Sequence, residues 1–175
     1  MRHRFLIFGL LVFSYSAFAG ALEDGLKAYE NGRYSQAIEW LTPLAKQNNP
    51  QAQFRIGMMN YHGQGTPESE KLAVDWLKKA AAQGYTEAMF ELGNVFLVGN
   101  QATQLSPDPD REAAIWYNKA AEAGHASAQY HLGLLFLAGN GVIKNDEYAR
   151  LWFKRAANQG HVEAQKSLGV VSKRN

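Results

Sequence analysis

Residues Ala126 to His161 read ASAQYHLGLLFLAGNGVIKNDEYARLWFKRAANQGH, and this stretch is a unit that earlier parts of the chain repeat. Glycines, tryptophans and alanine pairs return at matching positions, at spacings of 36 or 40 residues. The landmarks are Gly57, Gly93, Gly133 and Gly169; Trp76, Trp116 and Trp152; Gly84, Gly124 and Gly160; Ala80-Ala81, Ala120-Ala121 and Ala156-Ala157. Because these landmarks share one register, the sequence predicts stacked units that bury their apolar faces on their neighbours.

Each unit has apolar residues at helical spacing on both sides of a glycine-containing turn, which predicts a helix hairpin. We therefore predict an all-α solenoid, a single domain over residues 20–175, with hairpins at about 20–49, 50–85, 86–125 and 126–161. A capping helix is predicted at 162–171. There Lys166 takes the position of Phe54, Phe90 and Tyr130, as expected of a terminal unit that faces water.

Several residues predict where helices begin or change. Asp108 followed by Pro109 is a strong start signal, and four extra residues lengthen the loop of the third unit around Asn100 to Pro107. Pro43 is expected to kink or shorten its helix. The predicted N-caps are Ser35, Ser69 and Asn145.

The first nineteen residues differ from the rest. Arg2, His3 and Arg4 precede an apolar run, and small residues lead up to Ala19. The run is too short to cross a bilayer, so we predict a secretory signal peptide cleaved after Ala19, without stable membrane insertion afterwards. The mature chain would then be periplasmic or secreted.

The charge balance points away from nucleic acid. The chain has 18 basic and 16 acidic side chains, and two of the arginines belong to the predicted signal peptide. A neutral mature chain without a basic run gives no electrostatic footprint for nucleic acid or an anionic membrane. The absence of cysteine excludes disulfides, thiolate nucleophiles and thiolate metal sites.

The repeated pattern A-x-A-Q-Y-x-L-G-x-x-F-x-x-G-x-G-V, followed by A-x-x-W-F-x-[KR]-A-A, resembles the Sel1-like repeat (SLR), a relative of the tetratricopeptide repeat (TPR). The resemblance covers about Pro50 to the C-terminus, and the first hairpin is closer to a TPR unit. It implies right-handed stacking of antiparallel helix pairs, with the first helix of each pair lining a concave face. It also implies adaptor or partner-binding work in bacterial envelopes, without a shared catalytic residue.

We predict that the concave face binds the partner, because apolar grooves accept helices or extended peptides. The alternative is that tight curvature buries this face between repeats. The long loop, Asn100 to Pro107, is a second candidate contact. The predicted partner-binding residues are Met58, Tyr61, Phe90, Asn94, Leu97, Tyr130, Leu134 and Leu137.

No motif in the sequence predicts catalysis, a cofactor or a metal site. The pairs Gly63/Gly65 and Gly139/Gly141 lack the strand and the Lys-Ser/Thr ending of a phosphate loop, so they are interpreted as turns. The repeated tryptophans are interpreted as core residues. His125 and His161 share a repeat position and are interpreted as packing or capping residues. Glu91 is interpreted as an isolated carboxylate.

Three classes of function remain open. The first is a non-catalytic interaction module that binds a protein or peptide, such as an envelope assembly. A variant is an immunity protein that neutralises a secreted antibacterial effector such as a lipase, as the resemblance suggests. The second is an enzyme acting on cell-wall or β-lactam substrates, and the third is a secreted binder of host factors.

Overall fold

The computed structural model describes residues 20–99 and 102–171, and the predicted signal peptide lies outside these residues. Every regular element in the described ranges is an α-helix. The helices are α1 (20–30), α2 (Tyr34–Lys46), α3 (Pro50–Tyr61), α4 (Glu70–Ala82), α5 (Thr86–Val98), α6 (Ala102–Leu105), α7 (Pro109–Glu122), α8 (Ala126–Ala138), α9 (Asp146–Asn158) and α10 (Val162–Val171).

The chain divides into two compact units, and the division falls after Ala80, in the last turn of α4. The first unit has a core of buried side chains from α1, α2 and α3, including Ala28, Leu41 and Met59, against which Trp76 packs. In the second unit α5 packs on α7 and α8 packs on α9. Phe153, Ala156 and Ala164 lie in a fully buried cluster there.

Most of the predicted helix starts are confirmed. The side chain of Asp108 accepts a hydrogen bond from the Arg111 amide at 3.0 Å, and Asn145 accepts one from Tyr148 at 2.9 Å. Ser69 accepts a longer bond from the Leu72 amide at 3.3 Å. Each bond satisfies an amide that the first helical turn leaves unpaired.

The predicted N-cap of α2 is wrong, and so is shortening of the helix at Pro43, whereas a kink at Pro43 stays a prediction. Ser35 is not the N-cap, because the helix begins at Tyr34 and Arg33 takes that position without a side-chain bond. The preceding turn already ties the Arg33 amide to the carbonyl of Ala28, so the helix restarts one residue earlier. Nor does Pro43 shorten the helix, which continues to Lys46; Pro43 is exposed, so water can satisfy the carbonyl that it leaves unpaired.

The long loop of the third unit also differs from the prediction, since its described part contains the short helix α6. This helix contacts α5 and α7. Asn100 and Gln101 lie outside the described residues. The loop as a partner contact stays a prediction.

The glycine repeated at 57, 93 and 133 lets paired helices approach closely. A Cβ at Gly93 would lie 2.5 Å from ring carbons of Tyr117, and one at Gly133 would lie 2.6 Å from the ring of Phe153. A Cβ at Gly57 would lie 3.0 Å from Leu77. The glycine is therefore a packing requirement, since any side chain would displace the residue opposite.

In two hairpins the glutamine of the A-x-A-Q pattern binds the preceding helix; the third hairpin has Met89 at this position. The Gln53 amide donates to the carbonyl of Ala45 at 3.0 Å, and Gln129 donates to Ala121 at 3.0 Å. Both glutamines are buried, so each bond offsets the cost of removing an amide from water.

A lysine or arginine side chain lies over the ring of each repeated tryptophan. Lys79 lies 4.1 Å from the centroid of Trp76, Lys119 lies 4.0 Å from that of Trp116, and Arg155 lies 4.5 Å from that of Trp152. Trp152 is buried, as interpreted from the sequence, whereas Trp76 and Trp116 are half-buried. The spacing W-x-x-[KR] places the charge over the ring, one helical turn away.

Candidate partner-binding face

All eight predicted partner-binding residues are half-buried. Met58 and Tyr61 lie on α3 in the first unit. The other six lie in the second unit: Phe90, Asn94 and Leu97 on α5, and Tyr130, Leu134 and Leu137 on α8. Each unit thus presents part of the predicted face. Whether these residues bind a partner stays a prediction.

In the first unit this surface carries an arginine held by aromatic rings. The guanidinium carbon of Arg55 lies 4.2 Å from the ring centroid of Tyr29 and 5.6 Å from that of Phe54. Tyr61 contacts the imidazole of His62 edge to face, with centroids 5.0 Å apart. Arg55 therefore contributes a positive charge and apolar ring contacts beside Met58.

In the second unit the two predicted aromatic residues are packed against histidines. Phe90 stacks on His125, with centroids 4.5 Å apart and an interplanar angle of 20°. Tyr130 stacks on His161 in the same way, at 4.7 Å and 26°. Because His125 and His161 directly precede α8 and α10, each stack joins the first helix of one hairpin to the start of the next helix.

The two histidines also cap helices, which confirms the interpretation from the sequence. Nδ1 of His125 accepts a hydrogen bond from the amide of Ala128 at 3.2 Å. Nδ1 of His161 accepts one from the amide of Ala164 at 3.3 Å. An imidazole nitrogen accepts only when it carries no proton, so both caps require neutral histidine.

A third histidine lies between these caps. His131 stacks on Tyr117, with centroids 5.2 Å apart and an interplanar angle of 13°. Burial lowers the pKa of His131, and the nearby His161 and His125 lower it further. Burial also lowers the pKa of His125, against the opposing effect of Glu87 and Glu91. His125 and His131 are therefore neutral at neutral pH.

Glu91 is connected to a hydrogen-bond network that the sequence interpretation did not foresee. The hydroxyl of Tyr117 donates to Oδ1 of Asn94 at 2.6 Å, and Nδ2 of Asn94 donates to Oε2 of Glu91 at 2.9 Å. Burial, and then the charge of Glu91, raise the pKa of Tyr117 far above its ordinary value. The phenol therefore stays protonated and fixes the orientation of the Asn94 amide.

Tyr117 was not among the predicted site residues, although the repeat contains a signal for it. Its repeat position holds Leu77 and Phe153 in the neighbouring units, and the position of Asn94 holds apolar Met58 and Leu134. A hydroxyl and an amide thus appear together in one unit alone. Paired polar changes at facing repeat positions indicate a hydrogen bond across a hairpin.

Within the ranges 20–99 and 102–171, no cluster of three or more His, Asp or Glu side chains could hold a metal ion. The same residues include no helix that is long and apolar enough to span a membrane.

These features define an all-α solenoid of helix hairpins, as predicted. A Sel1 repeat profile matches residues 20–49, 50–85, 86–125 and 126–161, so the chain belongs to the Sel1 repeat family. Sel1 repeat proteins are generally protein–protein interaction modules.

Two solved structures resemble this fold. A Sel1 repeat protein from Oxalobacter formigenes superposes with a TM-score of 0.75 at 34% identity, over 85% of this chain and 60% of its own. A protective antigen from uropathogenic Escherichia coli with an SLR fold has a TM-score of 0.78 at 26% identity, over 88% of this chain and 33% of its own.

The curated relatives are much longer proteins. An uncharacterized protein from Neisseria meningitidis serogroup B is 35% identical over 71 residues, which is 41% of this chain. The match spans 15% of the length of that relative. The similarity therefore covers only a small part of that relative.

Proposed function

We propose that this chain is an exported, non-catalytic interaction module of the bacterial cell envelope that binds a protein or peptide through the predicted face. The observation that carries the proposal is the combination of apolar and fixed polar groups in the second unit. Leu97, one helical turn from Asn94 on α5, is half-buried there, as are Leu134 and Leu137 on α8, and Asn94 is hydrogen-bonded to Glu91. Fixed polar groups beside apolar side chains are typical of a binding surface that selects its partner.

The polar pair supplies specificity in this proposal. A carboxylate has acceptor capacity beyond the one hydrogen bond that Glu91 receives from Asn94. A partner that places a donor beside the leucines would gain both a hydrogen bond and apolar burial. A partner without a donor would desolvate the carboxylate without compensation, which is unfavourable.

Phe90 and Tyr130 of the predicted face also stabilise the fold. Because Phe90 and Tyr130 already stack on histidines, their substitution would disturb the hairpin contacts as well as any partner. A test of binding therefore uses positions whose substitution leaves these stacks in place. Leu97 on α5 is half-buried and is the more suitable choice.

Export is proposed from the sequence of residues 1–19, and it places the partner in the envelope or outside the cell. The partner's identity distinguishes the variants of the proposal. An envelope assembly would indicate a scaffold, whereas a secreted effector such as a lipase would indicate an immunity protein.

The proposed experiment places a photo-crosslinking amino acid at Leu97 in the protein expressed with its own N-terminus. The matched control carries the same amino acid at Leu72, an exposed leucine of α4 in the first unit. Crosslinked proteins are identified by mass spectrometry after irradiation of whole cells. Fractionation of the same cells shows whether the protein reaches the envelope.

We expect one protein to crosslink at Leu97 and not at Leu72, and a Leu97→Glu variant that remains helical to lose it. Equal crosslinking at both positions would contradict a role of the face. Retention of the protein in the cytoplasm would contradict the export part of the proposal, independently of the binding part.

A further inference from the structure

A second surface of the 81–171 unit lies away from the predicted face. Two adjoining clefts of about 860 and 300 Å³ lie among α7, the second half of α8, the loop 139–145 and the start of α9. Both are lined by Arg111, Phe136, Gly141 and Val142. We call these two clefts together the loop groove. The predicted residues Leu134 and Leu137 line neither cleft.

The walls of the loop groove are held by backbone geometry. Gly141 has φ +65°, and a Cβ there would collide with the carbonyl of Asp110. Gly139 has φ +82° and ends α8 in the left-handed conformation. Asn145 then caps α9, which fixes the other end of the loop. The groove is therefore formed before any ligand arrives, which lowers the entropic cost of binding.

Three apolar side chains that line the loop groove are exposed to solvent. Ile143 is 91% exposed, Tyr148 is 53% exposed and Ile115 is 41% exposed. The Tyr148 ring rests on Phe136, with centroids 5.4 Å apart. Neighbouring exposed apolar groups with a polar rim are typical of a surface that binds another protein.

The charges of the loop groove indicate the chemistry of its ligand. Arg111 lines both clefts and Lys119 lines the smaller one, while Asp108 is the carboxylate among the lining residues. One oxygen of Asp108 already accepts a hydrogen bond from the Arg111 amide. The guanidinium of Arg111 is exposed and can bind a carboxylate through two parallel hydrogen bonds.

The turn around Gly65 in the first unit is equivalent to the loop 139–145 but has different residues at two positions. Gly65 has φ +71° and packs on Tyr34, as Gly141 packs on Asp110. However, Pro67 stands where the fourth unit has Ile143, and Ser35 follows Tyr34 where Arg111 follows Asp110. The turn geometry thus belongs to the repeat, whereas the exposed isoleucine and the arginine belong to this groove.

We propose that the loop groove binds an acidic, apolar segment of a partner protein. An apolar side chain of the segment packs between Ile143 and Tyr148, and an Asp or Glu carboxylate pairs with Arg111. This surface is separate from the predicted face. Its occupation does not depend on the function proposed above.

The test selects a phage-displayed library of random peptides against the immobilised protein. We expect enriched peptides that combine an Asp or Glu with a neighbouring large apolar residue. Synthetic copies should bind more weakly at higher salt, because ions screen the carboxylate from Arg111. Copies with the acid changed to its amide should lose about ten-fold in affinity.

Variants locate the binding site. Arg111→Gln is expected to weaken the selected peptides about ten-fold. Ile143→Ser should also weaken them, and its folding is not at risk because the side chain is almost fully exposed. Lys71→Gln, at the same repeat position in the first unit, and Leu97→Glu on the predicted face should leave the affinity unchanged.

Three results would overturn the proposal. Selection could enrich basic or uncharged peptides, or no peptide at all. The enriched peptides could keep their affinity for Arg111→Gln and Ile143→Ser. Sedimentation velocity could show that the protein is a dimer that Ile143→Ser dissociates, in which case a second copy covers the loop groove.

Discussion

Equivalent helices in the two compact units are capped at their N-termini by different side chains. In the first unit Asn49 caps α3 through its side-chain oxygen, which accepts from the Ala52 amide at 2.9 Å. In the second unit His125 caps α8 at the same repeat position through an imidazole nitrogen. An amide oxygen accepts a hydrogen bond at any ordinary pH, whereas an imidazole nitrogen loses this ability when it is protonated.

The units also differ in how closely their paired helices approach. In the first unit a glycine faces the flexible side chain of Leu77, whereas in the second unit glycines face the rings of Tyr117 and Phe153. A leucine can change rotamer to accept a methyl group, but a buried ring has fewer alternatives. One repeat pattern can therefore tolerate substitution to different degrees in different units.

We expect the largest loss of stability from a substitution that disrupts the contact between α5 and α7 in the second unit. Gly93→Ala should lower the free energy of unfolding by about 2–3 kcal/mol, because the new Cβ would overlap the Tyr117 ring. Gly57→Ala should cost about 1 kcal/mol, since Leu77 can move. Urea unfolding followed by circular dichroism measures both values.

Gly169 provides the matched control for this pair. It occupies the same repeat position in α10, and a Cβ there would meet nothing within 4 Å. Gly169→Ala should therefore stabilise the protein by about 0.5–1 kcal/mol, as alanine does in an open helix position. Equal costs for Gly93→Ala and Gly57→Ala would show that the Tyr117 ring moves as readily as a leucine.

A smaller loss of stability is expected when the pH is lowered. The pKa values of His125 and His131 are lowered on folding from their ordinary value of 6.5, so the unfolded chain binds more protons. Stability is therefore fully present above about pH 6.5 and decreases as the pH falls through that value. The cap lost on protonation of His125 is worth about 1 kcal/mol.

Hydrogen exchange of single amides, corrected for the intrinsic pH effect, compares the two caps. We expect the Ala128 amide to lose protection between about pH 7 and about pH 5, while the Ala52 amide keeps its protection. His125→Asn should restore the pH-independent behaviour that Asn49 gives. Unchanged protection of Ala128 in acid would show that its cap does not depend on neutral His125.

The smallest expected effect concerns a contact that the units share. Arg155→Met should lower the free energy of unfolding by about 0.5–1 kcal/mol, because the methionine removes the charge over Trp152. Lys154→Met, at an exposed neighbouring position of α9, should change it by less than about 0.5 kcal/mol. If the two variants unfold alike, the cation over the ring adds no stability.

Local signals predicted most of the helix boundaries. Asp108 and Asn145 cap the helices assigned to them, since a cap needs only a short polar side chain three residues before its amide partner. Ser35 failed because the turn before it fixes the Arg33 amide through the carbonyl of Ala28. Competing backbone bonds are not visible in the pattern of residue types.

The site was predicted less completely than the fold. The helix positions of Asn94 and Leu134 followed from the repeat, but the partners of Asn94 did not. Tyr117 is 23 residues away in the chain, and the repeat shows only that both positions become polar in the same unit, not that the phenol donates to the amide. The loop groove was not predicted either, because Gly139 and Gly141 indicate a turn but not the side chains that surround it.

Residue types and their spacing are enough to predict the repeat length, the helix hairpins, the glycine turns and the membership of the Sel1 repeat family. These properties depend on residues close in the chain and on backbone preferences that return in each unit. Tertiary structure alone decided that Glu91, Asn94 and Tyr117 form one network, that His125 stacks on Phe90, and that Ile143 stays exposed beside Arg111. Such contacts depend on how closely packed helices bring distant side chains together.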